Sequence, residues 1–346
     1  MSEKILIAEV NAAEWDASMT DFHGGVFHHS AWINAMAGKD RQALFLHFED
    51  PQLGLVGKLA GQLVQSRLKF NKDLYFFSGL LTLGNDAVVR KTCLRSLLKY
   101  ARSKKCGRIF LHAFDFREDQ PMAVPGFYHK AMNEFVINYS ALDGPPKISS
   151  NLKRNAAKAR KAGVVVESDT SSAVLHRLME LLDTTRSTRR DKYGCDYDPM
   201  YIQGMDAASL ERVLDSGLGK MFVAKQEGLI RTVLFALESE AGLYFLLMGS
   251  DDKAYELGIP SLVALELSKY AQSQGKIYYN LGVIPNEAQG GEGLRRFKEQ
   301  QGASEEKAFS YYSWYLRFPL RWMNPFLSRK ARRFRVDVPV PTPSDY

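Results

Sequence analysis

The sequence predicts an α/β protein made of two similar domains, and three observations carry that expectation. Strand-like and helix-like runs alternate through both halves of the chain, and a cluster of turn residues interrupts it at the midpoint. The length, 346 residues with 45% apolar content, exceeds what one ordinary domain needs.

In the first half, Ala43 to Phe48 and Leu55 to Val64 are rich in β-formers, the second run interrupted by Gly57-Lys-Leu-Ala-Gly61, and Leu74 to Leu81 is a third strand. Asp86 to Ser103 sets Val88, Val89, Cys93, Leu94, Leu97, Leu98 and Ala101 at helical spacing, as a helix with one buried face requires. Strands return at Arg108 to Phe114 and Glu134 to Tyr139. Asp143-Gly-Pro-Pro-Lys-Ile-Ser-Ser150 is the turn cluster, and Ser149 or Ser150 caps the helix after it. The second half repeats the order: a basic helix to about Ala162, a strand at Val164 to Glu167, and a helix from Ser171 to about Arg189. Strands follow at Lys220 to Lys225, Leu229 to Glu238 and Leu243 to Gly249, then a helix from Pro260 to Ser273 and a strand at Lys276 to Val283. The repetition predicts two copies of one fold.

The formal charge is +7, and two acid-free segments hold the excess. Pro145 to Val166 contains Lys147, Lys153, Arg154, Lys158, Arg160 and Lys161; Tyr315 to Val336 contains Arg317, Arg321, Arg329, Lys330, Arg332, Arg333 and Arg335. The rest of the chain has 33 basic against 39 acidic residues, so the partner of these segments is expected to be anionic. Tyr311, Tyr312, Trp314, Tyr315, Phe318, Trp322, Phe326 and Phe334 interleave with the second segment. That mixture suits an anionic membrane surface or RNA, and also a last strand and helix folding back on the first domain.

No apolar run is long enough for a membrane span and the start lacks a secretory core, so a soluble, unexported protein is expected. Cys93, Cys106 and Cys195 are odd in number and far apart, which argues against a disulfide framework and for the cytoplasm. His28-His29 is a poor metal pair, Cys195 has no evident activating partner, and no metal or tightly bound cofactor is expected.

The stretch from Leu243 to Val283 is the most informative. Gly258-Ile-Pro-Ser261 starts a helix with proline in its first turn, whose free amides could grip a donor's anion, although many helices begin this way for structural reasons. Arg186, Arg189, Arg190 and Lys192 close a helix; arginine forks suit phosphate or carboxylate, and basic groups also suit any helix C-terminus. Lys298 sits among Arg295, Arg296 and Glu299 and could equally belong to a solvated helix face.

Several motifs together resemble the GNAT acyltransferase superfamily, and within it the duplicated-GNAT, Fem-type aminoacyltransferases of peptidoglycan cross-bridges. They are the basic helix Asn151-Leu-Lys-Arg-Asn-Ala-Ala-Lys-Ala-Arg-Lys-Ala-Gly-Val164, the region Leu178 to Tyr201, Tyr279-Asn-Leu-Gly-Val-Ile-Pro285, and Gly293-Leu-Arg-Arg-Phe-Lys-Glu-Gln-Gln-Gly302. His29-Ser-Ala-Trp32 is similar to the family's Ser-x-x-Trp helix start. The chain departs from the pattern in having Asn280 for Asp, Gln301 for an aromatic, Met248 for Tyr, only the central glycine of the coenzyme A signature, and no inserted helical arm for tRNA.

The resemblance implies an α/β fold of two side-by-side GNAT-like domains, each a mixed sheet with a splayed pair of central strands: residues 1–145, completed by the tail 317–346, and residues 146–316. It implies acyl or aminoacyl transfer that forms an amide on an amine of an anionic, nucleotide- or lipid-linked cell-envelope precursor, at the inner face of the membrane or in the cytoplasm. Lys298 would be the catalytic cation at the developing oxyanion. Arg190, Tyr201, Lys153, Arg154 and Asn280 would bind the acceptor, and Gly258 and Ser261 the donor, whether acyl-coenzyme A or aminoacyl-tRNA. The competing expectation is a non-catalytic GNAT-fold protein whose basic surfaces bind RNA or anionic membrane.

Overall fold

A computed structural model describes residues 5–65, 71–118, 120–193, 198–284 and 291–333, without the side chains of residues 85, 188, 189, 192, 193 and 330–333. The chain forms two compact units, one of Met1–Met132 with the chain from Lys307 on, the other Asn133–Glu306. The sequence had set the boundaries at 145/146 and 316/317. The observed ones fall inside two strands that complete sheets of the opposite unit from the strands preceding them in sequence.

In unit 1 the strands are β1 (Leu6–Val10), β2 (Arg41–Asp50), β3 (Gly54–Gln65), β4 (Lys72–Phe76), the short β5 (Leu81–Thr82) and β6 (Cys106–Leu111). The helices are α1 (Ala12–Ala17), α2 (Ser30–Ala35) and α3 (Ala87–Ser103), the last capped by Asp86, whose side chain accepts from the amides of Val88 and Val89. Contrary to the sequence reading, β3 runs unbroken through Gly57 and Gly61, and β4 ends at Phe76 rather than Leu81. There the chain turns at Ser78-Gly79, where buried His28 engages the Gly79 carbonyl through Nε2 at 2.8 Å. His28 Nδ1 accepts from Gly25 N–H, so both ring nitrogens serve the backbone, and burial lowers its pKa to about 4.

Unit 2 contains β7 (Phe127–Asn138), which begins before the boundary, α4 (Ser150–Lys161), β8 (Val165–Ser168), α5 (Ser172–Tyr193) and α6 (Ala207–Asp215). After them come β9 (Gly219–Gln226), β10 (Leu229–Glu238), β11 (Gly242–Ser250), α7 (Asp252–Leu257), α8 (Ile259–Ser273), β12 (Tyr278–Val283), α9 (Gly291–Glu299) and β13 (Ser304–Ser313). The second part of β13 and α10 (Asn324–Arg333) return to unit 1.

The duplication is visible in the strand orders. Unit 1 runs β1-β2-β3-β4-β6-β13 and unit 2 runs β8-β9-β10-β11-β12-β7. In each the first four strands are antiparallel, the fifth lies parallel to the fourth across a helix, and the sixth is antiparallel to the fifth. Each sheet packs against the helix of its parallel crossover: Val89, Leu94, Leu97 and Ala101 of α3 in unit 1, and Ile259, Val263, Leu267 and Ala271 of α8 in unit 2, enter the two cores.

The copies differ where splaying was expected in both. In unit 2, β11 and β12 pair at Gly242–Tyr244 with Tyr278–Asn280 and then part. In unit 1, β4 and β6 stay joined to their ends, and the contact continues as His112 N–H donates to Phe76 O and Phe114 N–H to Phe77 O. Phe27, Trp32, Phe77 and Phe114 pack ring against ring at this closed end, so unit 1 keeps no splayed pair.

Candidate functional site

The parting of β11 from β12 has a local cause in each strand. In β11, Phe245 lies opposite Ala236 and Leu247 opposite Phe235, which leaves Leu246 as an extra residue, a bulge that bends the strand. In β12, the ladder with β7 shifts between Asn280 and Val283, and Gly282 adopts φ +71°, a left-handed conformation that glycine reaches without strain. A cavity of about 370 Å³ opens at these irregularities, lined by Phe245, Leu246, Leu281, Gly282, Val283 and Ile284 of the two strands and by Asp198, Tyr201, Leu294 and Lys298.

Lys298 is the buried cation of this cavity. It lies on α9, is 4% exposed, and its Nζ donates to Gly282 O at 2.9 Å and Val283 O at 2.7 Å. The solvated-face reading therefore fails for this residue, while Arg296 and Glu299 on the same helix do face water. Arg295 instead forks onto Glu305, at 2.7 and 3.0 Å. Burial lowers the Lys298 pKa from its usual value to about 7, against the opposing attraction of Glu134. An ammonium has three donors, so the two carbonyls leave one N–H of Lys298 without an acceptor among the described residues, on a side chain that lines the cavity and whose Nζ lies 5.8 Å from the Phe135 ring centroid.

Asn280 lies beneath the same strand turn, almost wholly buried. Its Nδ2 donates to Glu134 Oε2 at 2.8 Å and its Oδ1 accepts from Gly282 N–H at 2.8 Å, while Tyr244 O–H donates to the other oxygen of Glu134 at 3.0 Å. This places Asn280 in a structural network that shapes the Gly282 turn, instead of in contact with an acceptor. An amide suits the position because it can donate to the carboxylate and accept from the backbone at once; an aspartate would set a second acid against Glu134.

The remaining expected site residues are dispersed. Tyr201 lines the cavity and is 44% exposed. Arg190 lies exposed near the end of α5 and does not line it; Cys195 and residues 285–290 lie outside the described residues. Lys153 and Arg154 face solvent on α4, with Arg154 donating to Asn151 Oδ1 at 2.9 Å. Ser149 caps α4 through Leu152 N–H, and its own amide donates to Gln300 O, which ties this basic helix to the end of α9.

Gly258 and Ser261 are not placed as a donor cradle. Gly258 N–H already closes α7, Pro260 has no N–H, and Ser261 N–H donates back to Gly258 O at 3.1 Å. Ile259 to Leu262 are buried against neighbouring helices, and a Cβ on Gly258, at φ +75°, would meet Asn155 O of α4 at 2.7 Å. The glycine serves a tight helix junction. Sequence reasoning missed Asp198, although Asp198-Pro-Met is a turn signal beside Tyr201: its Oδ1 accepts from Met200 N–H at 2.9 Å. It also missed Glu134, which no local pattern joins to Asn280.

Residues 146–299 match the family model described as an acetyltransferase (GNAT) domain. No curated protein matches the sequence. Among solved structures, the crystal structure of FemX is 13% identical, with 88% of this chain and 96% of that chain covered, at a TM-score of 0.67. L-PGS from Bacillus licheniformis is 15% identical over 93% of this chain and 97% of that one, at a TM-score of 0.55. The C-terminal domain of a protein described as a lysylphosphatidylglycerol synthetase, from Agrobacterium fabrum, is 13% identical over 91% and 96%, also at 0.55.

Proposed function

We propose, from the premise that this chain is a protein of two GNAT-fold units whose second carries the acetyltransferase (GNAT) domain, that unit 2 transfers an aminoacyl or other acyl group to an amine of an anionic cell-envelope precursor. One observation carries the reading: the cavity where β11 and β12 part has a buried lysine with a donor to spare. The name lysylphosphatidylglycerol synthetase describes an aminoacyl group joined to an anionic lipid, and that chemistry suits the basic segments of this chain.

In this mechanism the neutral amine of the acceptor attacks the carbonyl carbon of the donor, a C–N bond forms, and the carbonyl electrons move onto oxygen. The remaining N–H of charged Lys298 meets that oxygen, held in advance by Gly282 O and Val283 O, so little reorganisation is needed as charge develops. Collapse expels the carrier's oxygen or sulfur and leaves an amide. The proton lost by the amine has a carboxylate, Asp198, on the cavity wall. Tyr201 and the apolar wall of Phe245, Leu246 and Leu294 would hold the reacting groups and keep water from the intermediate.

The filled start of α8 favours an aminoacyl ester of tRNA as donor over a coenzyme A thioester, because the turn that would grip a pyrophosphate is occupied by protein. The test compares thermal stabilisation by acyl-coenzyme A, aminoacyl-tRNA and nucleotide-linked peptides, followed by transfer assays with the ligands that bind. Stabilisation and amide formation with an aminoacyl donor are expected. Binding of RNA or lipid with no transfer from any donor would instead assign the chain to the non-catalytic GNAT-fold proteins.

A further inference from the structure

The largest cluster of exposed apolar side chains among the described residues lies away from the cavity, in the segment after β13. Phe318 is 67% exposed, Trp322 73%, Met323 48% and Phe326 67%. Phe318 and Trp322 meet edge to face, with centroids 4.9 Å apart, so they support each other without being covered. The segment is firmly attached on its other side. Asn324, buried at the start of α10, clasps the backbone of Tyr315 twice, accepting from its N–H at 2.9 Å and donating to its carbonyl at 3.1 Å. Arg317 donates to Asn71 Oδ1 at 3.1 Å and Lys105 O at 3.2 Å. Ser328, one turn after Asn324, is also buried, which turns Phe326 and Arg329 outward. An apolar patch held out on an anchored turn is a feature that soluble surfaces rarely keep without a partner.

The charge around the patch selects the partner. Tyr315 to Val336 contains seven basic residues and no acid. Of these Arg329 is exposed and Arg321 half-buried beside the aromatics; the side chains of Lys330, Arg332 and Arg333, and all of Arg335, lie outside the described residues. Lys72, Lys104 and Arg317 bear electrostatically on Cys106 together with the acid Asp73, and Glu9 pairs with Lys104, so this end of unit 1 holds three cations against two acids. We propose that Phe318, Trp322, Met323 and Phe326 insert into the interface of an anionic phospholipid bilayer, with the surrounding arginines and lysines on its phosphates. Tryptophan and phenylalanine are suited to that depth, and basic residues add attraction that salt weakens. The inference does not rest on the transfer reaction, since the patch belongs to unit 1 and vesicle binding needs no substrate.

The test uses the full chain with vesicles of phosphatidylglycerol mixed with phosphatidylcholine, with phosphatidylcholine alone, and with tRNA as competitor. Of the four tryptophans, Trp15, Trp32 and Trp314 are buried, so a change in emission on vesicle binding reports Trp322. Expected are co-flotation with the anionic vesicles, a blue-shifted emission, and quenching by lipids brominated on their acyl chains. Phe318→Ser with Phe326→Ser should weaken binding by about tenfold or more at an unchanged melting temperature, since both side chains are exposed. Arg329→Gln should weaken it less and reduce its salt dependence. No vesicle binding at low salt, binding with no change in Trp322 emission, equal affinity in the double serine variant, or binding to tRNA alone would each overturn the proposal.

Discussion

Lys298 shows how far a single residue's environment can depart from its local sequence. In Arg295-Arg-Phe-Lys-Glu299 it looks like one charge among several, yet it is the buried one, because the Gly282 turn presents two carbonyls where its ammonium ends. Lys298→Met keeps most of the volume, and its expected cost in folding stability at neutral pH is within about 2 kcal/mol, read by chemical denaturation. Transfer should fall at least ~10²-fold, as when an oxyanion donor is removed. The pH dependence follows from the lowered pKa. An unfolded lysine holds its proton to about 10.4, whereas folded Lys298 releases its own at about 7, so between these values the unfolded chain binds more protons. Stability of the native protein relative to Lys298→Met should therefore rise with pH from about 7 toward 10, by up to ~1.4 kcal/mol per unit. Activity should show the opposite limb, falling above about 7 as the cation is lost, and a profile without that limb would exclude the charged form from the reaction.

At the scale of elements, the long periodic segments were legible and the breaks between them were not. The apolar spacing of Asp86 to Ser103 and the β-rich runs of β9, β10 and β11 correspond to observed elements within a few residues. β1, α1 and α7 were missed, being only five or six residues long; α6 was missed although Leu210, Val213 and Leu214 sit at helical spacing behind the capping Asp206. The splay was expected in both copies because the resemblance implies it, but closure in unit 1 depends on Phe114 and Phe77 meeting across the strand ends, a contact that no local pattern shows. The same limit applied at Gly258, read as a donor turn when its neighbour is Asn155, more than a hundred residues earlier. Gly258→Ala should lower stability by about 2 kcal/mol or more, from a left-handed backbone and the clash with that carbonyl. Because the effect is on the junction of α4, α7 and α8, a melting experiment should register it with no donor present. An alanine variant of native stability would contradict the packing described.

The whole molecule is two units by contact but not by chain order. Unit 2 takes β7, which follows β6 of unit 1, and unit 1 takes the end of β13, which follows β12 and α9 of unit 2. Cutting the chain at the turn cluster, between residues 145 and 146, would thus leave each fragment without its sixth strand and deprive Asn280 and Tyr244 of Glu134. Neither fragment alone should show a cooperative unfolding transition, and co-expression of the two should restore one; independent folding of residues 146–346 would refute the exchange. The exchange also sets an order of events on the ribosome. The strand that closes unit 1 is made about two hundred residues after β6, roughly ten to forty seconds later at ordinary elongation rates. For that interval β6 has an unpaired edge, the kind of template on which nascent chains join one another, while unit 2 already has all six of its strands before the end of β13 is made. The part of the protein synthesised first is therefore the part finished last, and slowing translation should expose it to aggregation for longer.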